Sequence, residues 1–158
     1  MIIYQSTKSE FLDAAFKRDI ETVILGAYQA RTGQGVSPQE VRSWKESLLA
    51  MARVLNDDAI PASCGVAVEY GIPQTSKRID MLLSGRDEAG RDNLLIIELK
   101  QWESATRTAM DAVVRTRYAQ GESDTNHPSY QSWSYAELLR NFNETVDQEK
   151  LPLQPCAY

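Results

Sequence analysis

A chain of 158 residues, of which 42% are hydrophobic, is long enough to bury one substantial core, and we expect a single domain over residues 1–158. The formal charge of −5 argues against a protein that binds polyanions through a general basic excess. No apolar run approaches the roughly 20 residues of a membrane span, and the N-terminus lacks the layout of a signal peptide, so we expect a cytoplasmic protein with no membrane partner. Two distant cysteines and a single histidine predict neither a disulfide framework nor a zinc site.

Helical patterns occupy most of residues 1–60. The segment Thr7-Lys8-Ser9-Glu10 is typical of a capping box, and apolar residues recur after it at helical spacing as far as Gly33. This pattern predicts one long helix or two broken ones. A second capping box, Ser37-Pro38-Gln39-Glu40, places proline at the first helical position. The helix that follows has one apolar stripe and is expected to end near Asn56.

The period of the apolar residues changes at residue 64. The runs "CGVAVEYGIP", "KRIDMLLSG" and "NLLIIELKQW" are short and aliphatic, and turns containing glycine or proline separate them. They predict three adjacent antiparallel strands, with central parts at residues 66–70, 78–83 and 94–100. The polar stretch of residues 103–127 is expected to hold a helical piece through "AMDAVVRTRY".

A further helix is predicted after Pro128, because Gln131, Tyr135, Leu138 and Phe142 share one face at helical spacing. The final residues, "LPLQPCAY", read as the opening of another strand, so we expect the chain to be a fragment of a longer polypeptide. The predicted fold class is α/β, a mixed sheet flanked by helices. Its N-terminal helices occupy residues 1–60 and its core occupies residues 64–158.

Two opposite charges end the most apolar run. In a strand, Glu98 and Lys100 share a face with Leu94 and Ile96, so both charges lose hydration at a cost of several kcal/mol per ion. A hairpin can bring Asp80 beside Glu98, and close carboxylates repel each other unless a cation lies between them. Because Mg²⁺ prefers oxygen ligands, these charges predict a metal site for phosphodiester chemistry, with Lys100 beside the phosphate. The alternative is an ordinary Glu98–Lys100 ion pair with Asp80 capping a turn.

The order of these residues resembles a known signature. Asp80, followed by a hairpin and then Glu98-Leu99-Lys100, resembles the Asp…Glu-x-Lys signature of the PD-(D/E)XK nuclease superfamily. The later helix carries Gln131-Ser132-Trp133-Ser134-Tyr135, which is similar to the Gln-x-x-x-Tyr motif of the RecB-like branch. One departure is Ile79, which stands where the proline of the superfamily name would be. The resemblance implies a restriction-endonuclease-like core.

Longer stretches resemble a narrower group of proteins. The segments "IIYQSTKSEF", "IPQTSKRIDMLLSG", "ELKQW" and "HPSYQSWSYA" are similar to the N-terminal region of large bacterial proteins that continue into a Schlafen-like DNA/RNA helicase domain. This resemblance covers nearly the whole chain. It implies that a helicase domain, in the same chain or in a partner chain, works together with this one.

The resemblance also implies a set of metal ligands. Asp80 and Glu98, with the backbone carbonyl of Leu99, would hold Mg²⁺ or Mn²⁺. Glu69, at the end of the first central strand, is a further candidate ligand, and the alternative for it is an edge carboxylate.

Other residues would act around the metal. Lys100 would position the attacking water and offset charge on the phosphate, and Gln131 and Tyr135 would face the site to hold substrate or a catalytic residue. Tyr135 also fits a core position, since apolar residues share its stripe. We expect Trp102 to cap the sheet rather than stack on a base, and His127 to be a capping or surface residue rather than a catalytic one.

Three functions follow from these observations. The first is a Mg²⁺-dependent nuclease domain that hydrolyses nucleic acid, DNA in preference to RNA. The second is a catalytically inactive nuclease-fold module that binds nucleic acid or a partner, and the third is a metal-dependent enzyme acting on another phosphoester. The presence of Asp80, Glu98 and Lys100 together favours the first, because a module freed from catalysis has no reason to retain three costly charges.

Overall fold

The computed structural model describes residues 1–118 and 121–158. It is an α/β structure, as the sequence predicts, with a mixed sheet and helices on both of its faces. The elements in chain order are β1 (Ile2–Thr7), α1 (Lys8–Lys17), α2 (Ile20–Thr32), α3 (Pro38–Leu55), β2 (Gly65–Gly71), β3 (Arg78–Arg86), β4 (Asp92–Glu98), β5 (Ala105–Arg107), β6 (Val113–Tyr118), β7 (Gly121–Asn126), α4 (Pro128–Phe142), α5 (Glu144–Gln148) and β8 (Leu153–Ala157).

The main sheet has five strands in the order β1-β2-β3-β4-β8. Neighbouring strands from β1 to β4 are antiparallel, which confirms the three predicted central strands, except that β4 ends at Glu98 and not at Lys100. The last strand, β8, is also confirmed, and it pairs with β4 in parallel after the chain crosses over through α4 and α5. Strand β1 was not predicted, because it mixes polar with apolar side chains and its last residue, Thr7, is also the cap of α1.

Local signals place the N-terminal helices where they were expected. The Thr7 hydroxyl accepts from the Glu10 amide, and the Glu10 carboxylate accepts from the Thr7 amide at 2.8 Å, which completes the capping box of α1. The apolar run then breaks into α1 and α2. The Ser37 hydroxyl caps α3 by accepting from the Glu40 amide at 3.2 Å, and that helix ends at Leu55, next to the expected Asn56.

Each face of the main sheet carries its own hydrophobic core. Phe11, Leu48 and Met81 belong to the core under α1, α2 and α3, whereas Ile96 and Leu139 belong to the core under α4 and α5. Strands buried on both faces need apolar residues at successive positions, which explains the continuous aliphatic runs of β3 and β4.

Residues 109–118 do not form the helical piece expected in "AMDAVVRTRY", and this prediction was wrong. The described part of the segment forms a separate antiparallel sheet in the order β5-β6-β7. Val113, Val114 and Thr116 are β-branched, and cross-strand pairing outweighs the weak helical spacing around them. Within the described ranges, no helix is both long enough and apolar enough to cross a membrane.

Candidate active site between diverging strands

The ends of β3 and β4 bring the two predicted acidic residues together. The last paired residues of these antiparallel strands are Met81 and Ile97, and the next residue outward on each strand is Asp80 or Glu98. Instead of continuing the ladder, Asp80 Oδ2 accepts a hydrogen bond from the Leu99 amide at 2.8 Å. The strands therefore part at these residues, with a carboxylate on each side of the split.

Glu98 is the most constrained of the predicted residues. Only 2% of it is exposed, and its Oε1 accepts from Lys100 Nζ at 2.5 Å and from Gln131 Nε2 at 2.5 Å. Its Oε2 is buried and has no hydrogen-bond partner in the described part of the chain. Burial, and next the negative charge of Asp80, raise the pKa of Glu98 to about 7, although the Lys100 ammonium opposes this shift.

Helix α4 closes the site from the other side. Gln131 Nε2 contacts both Glu98 and the Tyr135 hydroxyl, which it reaches at 2.8 Å. Gln131 and Tyr135 lie one turn apart on the helix, so a single face presents both to the end of β4. Tyr135 is also part of the core under α4, as its place in the apolar stripe indicated, and burial raises its pKa.

Asp80 lines a small cavity on the α3 side of the sheet, together with Glu40, Trp44, Glu69 and Arg78. Burial raises its pKa, against the opposing effects of the Leu99 amide and the Lys100 charge. Asp80 thus lies toward the α3 face of the sheet and Glu98 toward the α4 face. The two predicted acidic ligands are neighbours at the point where β3 and β4 separate.

Glu69 interrupts the regular alternation of β2. Its φ is 59°, a left-handed value that is uncommon for a residue with a side chain, and neither neighbouring strand pairs with it. Strict alternation would also place Ile79 and Met81 on one face of β3, but Ile79 packs under α4 and Met81 packs under α3. This change of face coincides with the irregular backbone at Glu69, which lies opposite Asp80 on the neighbouring strand.

The contacts of Glu69 are those of a buried ion pair. Its Oε1 accepts from the Trp44 indole at 2.8 Å, and its Oε2 forms an ion pair with the Arg78 guanidinium. Burial raises the pKa of Glu69 to about 7, and the Arg78 charge opposes the shift. Its role as a further metal ligand stays a prediction.

Sequence reasoning missed three residues of this network: Glu40, Trp44 and Arg78. Arg78 Nη2 donates to Glu40 Oε1 at 2.9 Å, so the guanidinium bridges Glu40 on α3 and Glu69 on β2. In the sequence Glu40 stands out only through its place in a capping box, and Trp44 lies in the hydrophobic core under α3. The adjacent basic pair Lys77-Arg78 was the available signal, but nothing in the sequence assigns it a carboxylate partner.

The site fits a metal ion that needs few protein ligands. Within residues 1–118 and 121–158, no three His, Cys, Asp or Glu side chains are grouped so as to hold a metal ion. Mg²⁺ commonly uses one or two carboxylates and completes its shell with waters and phosphate oxygens. The buried Oε2 of Glu98, which lacks a hydrogen-bond donor, and the nearby Asp80 carboxylate suit this arrangement. The donor set also suits Mn²⁺, which takes similar oxygen ligands.

Two other residues singled out in the sequence lie outside this network. His127 Nδ1 accepts from the Ser129 amide at 3.1 Å and caps α4, which is the role that we expected. Trp102 is half-buried beyond the end of β4.

Comparisons of the chain with protein-family models, with curated proteins and with solved structures found no match.

Proposed function

We propose that this chain is a Mg²⁺-dependent nuclease domain of the PD-(D/E)XK type with a restriction-endonuclease-like core. The proposal rests on the contacts of the Glu98 carboxylate. Its carboxylate contacts Lys100 and Gln131, has Asp80 nearby, and keeps one buried oxygen without a hydrogen-bond donor. The mixed sheet with helices on both faces is compatible with such a core.

The unpaired oxygen of Glu98 favours a functional role for this residue over a structural ion pair. Buried polar atoms in folded proteins nearly always have partners, and an unpaired carboxylate oxygen costs free energy. A glutamate kept only for stability would have both oxygens paired, or would be replaced by an apolar residue. A cation bound there would supply the partner that this oxygen lacks among the described residues.

Each residue then has a part in phosphodiester hydrolysis. Asp80, Glu98 and the Leu99 carbonyl would hold Mg²⁺, which when bound supplies positive charge to the phosphate and acidifies a bound water. Lys100, whose side chain is partly exposed, would orient the attacking water and stabilise charge that develops on the phosphate. Gln131 would fix the Glu98 carboxylate through the contact seen from α4.

The test is cleavage of labelled single-stranded and double-stranded DNA and RNA with Mg²⁺, with Mn²⁺ and with EDTA. We expect metal-dependent cleavage that Asp80→Ala, Glu98→Ala and Lys100→Ala each abolish. Asp92→Ala is the matched control, because Asp92 is a carboxylate of the same strand as Glu98 but forms an exposed ion pair with Arg86. Cleavage that persists in Glu98→Ala at the wild-type rate would overturn the proposal.

A second candidate is an inactive module that binds nucleic acid or a partner. It is favoured by the direct Lys100–Glu98 ion pair, which already gives Glu98 one cationic neighbour. Under this alternative, nucleic acid binds with or without Mg²⁺ and is never cut. A third possibility, hydrolysis of another phosphoester, is separated by adding a small aryl phosphodiester to the same assay.

We further propose that a helicase domain, in the same chain or in a partner, delivers the substrate. A net charge of −5 gives the chain little long-range attraction for nucleic acid, so a separate binding surface is needed. The expected result is weak, salt-sensitive cleavage by this chain alone and faster, ATP-dependent cleavage when the helicase is present. Equal and salt-resistant cleavage in both cases would contradict this part of the proposal.

A further inference from the structure

Lys77 lies beside the proposed site but takes no part in its hydrogen-bond network. Its ammonium sits over the Tyr135 ring, 5.8 Å from the ring centroid. The hydroxyl of that ring accepts from Gln131, and Gln131 donates to Glu98. The position of Lys77 is therefore connected to the site through one aromatic ring and one amide.

The backbone that carries Lys77 is held in a defined turn between β2 and β3. The Ile72 amide donates to the Lys77 carbonyl at 3.0 Å, and the Lys77 amide donates to Thr75 Oγ1 at 3.1 Å. Thr75 Oγ1 in turn donates to the Ile72 carbonyl at 2.9 Å. These bonds fix the start of the side chain, and the contact of its cation with the aromatic face orients its end.

The other basic residues at the site are already paired. Arg78 contacts Glu40 and Glu69, and Lys100 contacts Glu98. Within residues 1–118 and 121–158, no carboxylate lies within ion-pair distance of the exposed Lys77. Lys77 is thus a positioned cation whose charge is available to a ligand.

We propose that Lys77 binds a backbone phosphate of the nucleic acid, next to the phosphate that is cleaved. This inference rests on the proposed nuclease function and adds to it a substrate-positioning residue outside the metal ligands and outside the motif. A lysine ammonium is a compact point charge with three donors, so it can pair with a phosphate without the fixed two-point geometry that arginine requires. Contacts of this kind set affinity and register rather than base preference.

The test measures binding separately from cleavage. A fluorescein-labelled oligonucleotide, single-stranded or duplex, is titrated in EDTA at several NaCl concentrations with the wild-type chain, Lys77→Gln and Lys77→Arg. Lys17→Gln is the matched control, because it removes the same charge from an exposed lysine on α1. Thermal melts check that every variant is folded.

We expect Lys77→Gln to weaken binding about threefold to tenfold at low salt and to lower the slope of log K against log salt by about one. Lys77→Arg should keep most of the affinity, and Lys17→Gln should change it less than about twofold. In Mg²⁺, Lys77→Gln should raise KM while kcat stays near the wild-type value.

The outcomes separate this inference from the proposed function. Binding that depends on Lys77, without any cleavage, would keep the inference and reject the nuclease. Cleavage with unchanged binding, salt slope and KM in Lys77→Gln would reject the inference alone. An equal loss in Lys17→Gln, or a wild-type chain that binds no oligonucleotide, would also overturn it.

Discussion

One carboxylate oxygen, Glu98 Oε1, accepts from two donors, while the other oxygen of the same group has no hydrogen-bond donor in the described ranges. Sequence alone could place Glu98 near Asp80 and Lys100, because strand alternation and hairpin geometry are short-range rules. It could not show this asymmetry, which depends on how α4 docks. The left-handed backbone of Glu69 was equally hidden, since no glycine marks it.

The raised pKa of Glu98 predicts how the metal-free protein responds to pH. The unfolded chain releases this proton near the ordinary value of 4.5 and the folded chain releases it near 7, so between these values the folded chain binds more protons. The free energy of unfolding therefore falls as pH rises from 5 to 8, by roughly 3 kcal/mol from this group. Urea denaturation in EDTA across this range measures the fall.

Glu98→Gln should remove much of this pH dependence. Part of it will remain, because burial raises the pKa of Glu69 in the same direction. Glu88→Gln is the control, since Glu88 lies in the exposed turn between β3 and β4. If Glu98→Gln and Glu88→Gln gave the same slope, Glu98 would not be the titrating group.

Trp44→Phe should destabilise the fold through Glu69. The change removes the indole donor at 2.8 Å and leaves Glu69 Oε1 buried without it, which costs roughly 1–3 kcal/mol. Trp133→Phe is the comparison, because Trp133 is 47% exposed and its loss should cost little. Equal midpoints for the two variants in urea would show that the Trp44 hydrogen bond contributes nothing measurable.

At the scale of elements, the sequence predicted those whose signals are local. The caps at Thr7 and Ser37, the central strands and the helix after Pro128 each follow from a period or a terminal residue. The sheet β5-β6-β7 was missed because its strands are polar and mostly exposed. Pairing between strands, rather than their composition, determines such a sheet.

Lys8, the first residue of α1, links this helix to the segment that follows α3. Lys8 is 6% exposed, and its ammonium donates to the carbonyls of Asp57 at 2.7 Å and Ile60 at 2.6 Å, in the segment after α3. Lys8→Met keeps the length of the side chain but leaves both carbonyls without this donor. We expect a loss of roughly 2–3 kcal/mol in the free energy of unfolding.

Lys45→Met is the control for this prediction, because Lys45 is half-exposed and contacts Glu21 on the surface. Its loss should cost much less than the loss of Lys8, because the contact between exposed charges is weak. Chemical denaturation of both variants gives the comparison. A Lys8→Met variant as stable as Lys45→Met would mean that water replaces the buried ammonium at no cost.

At the scale of the whole molecule, β5, β6 and β7 pack chiefly against one another, whereas the other strands share the main sheet. We therefore expect that replacing residues 104–126 with a short glycine-serine linker leaves the main sheet folded. The free energy of unfolding should change by no more than about 1 kcal/mol, since loop length has a weak effect on stability. Circular dichroism and urea denaturation measure this, and a loss of cooperative unfolding would contradict it.

The division into two cores has a consequence for the order in which the molecule is made. All fully buried members of the core under α1, α2 and α3 lie between Ile3 and Ile97, whereas the other core needs residues from Tyr135 to Leu153. During synthesis, every buried residue of the first core has been made before α4 leaves the ribosome, so this face of the sheet can close first. Glu98 can accept its hydrogen bond from Gln131 only after α4 has been made. A growing chain that ends before α4 therefore carries an incomplete site.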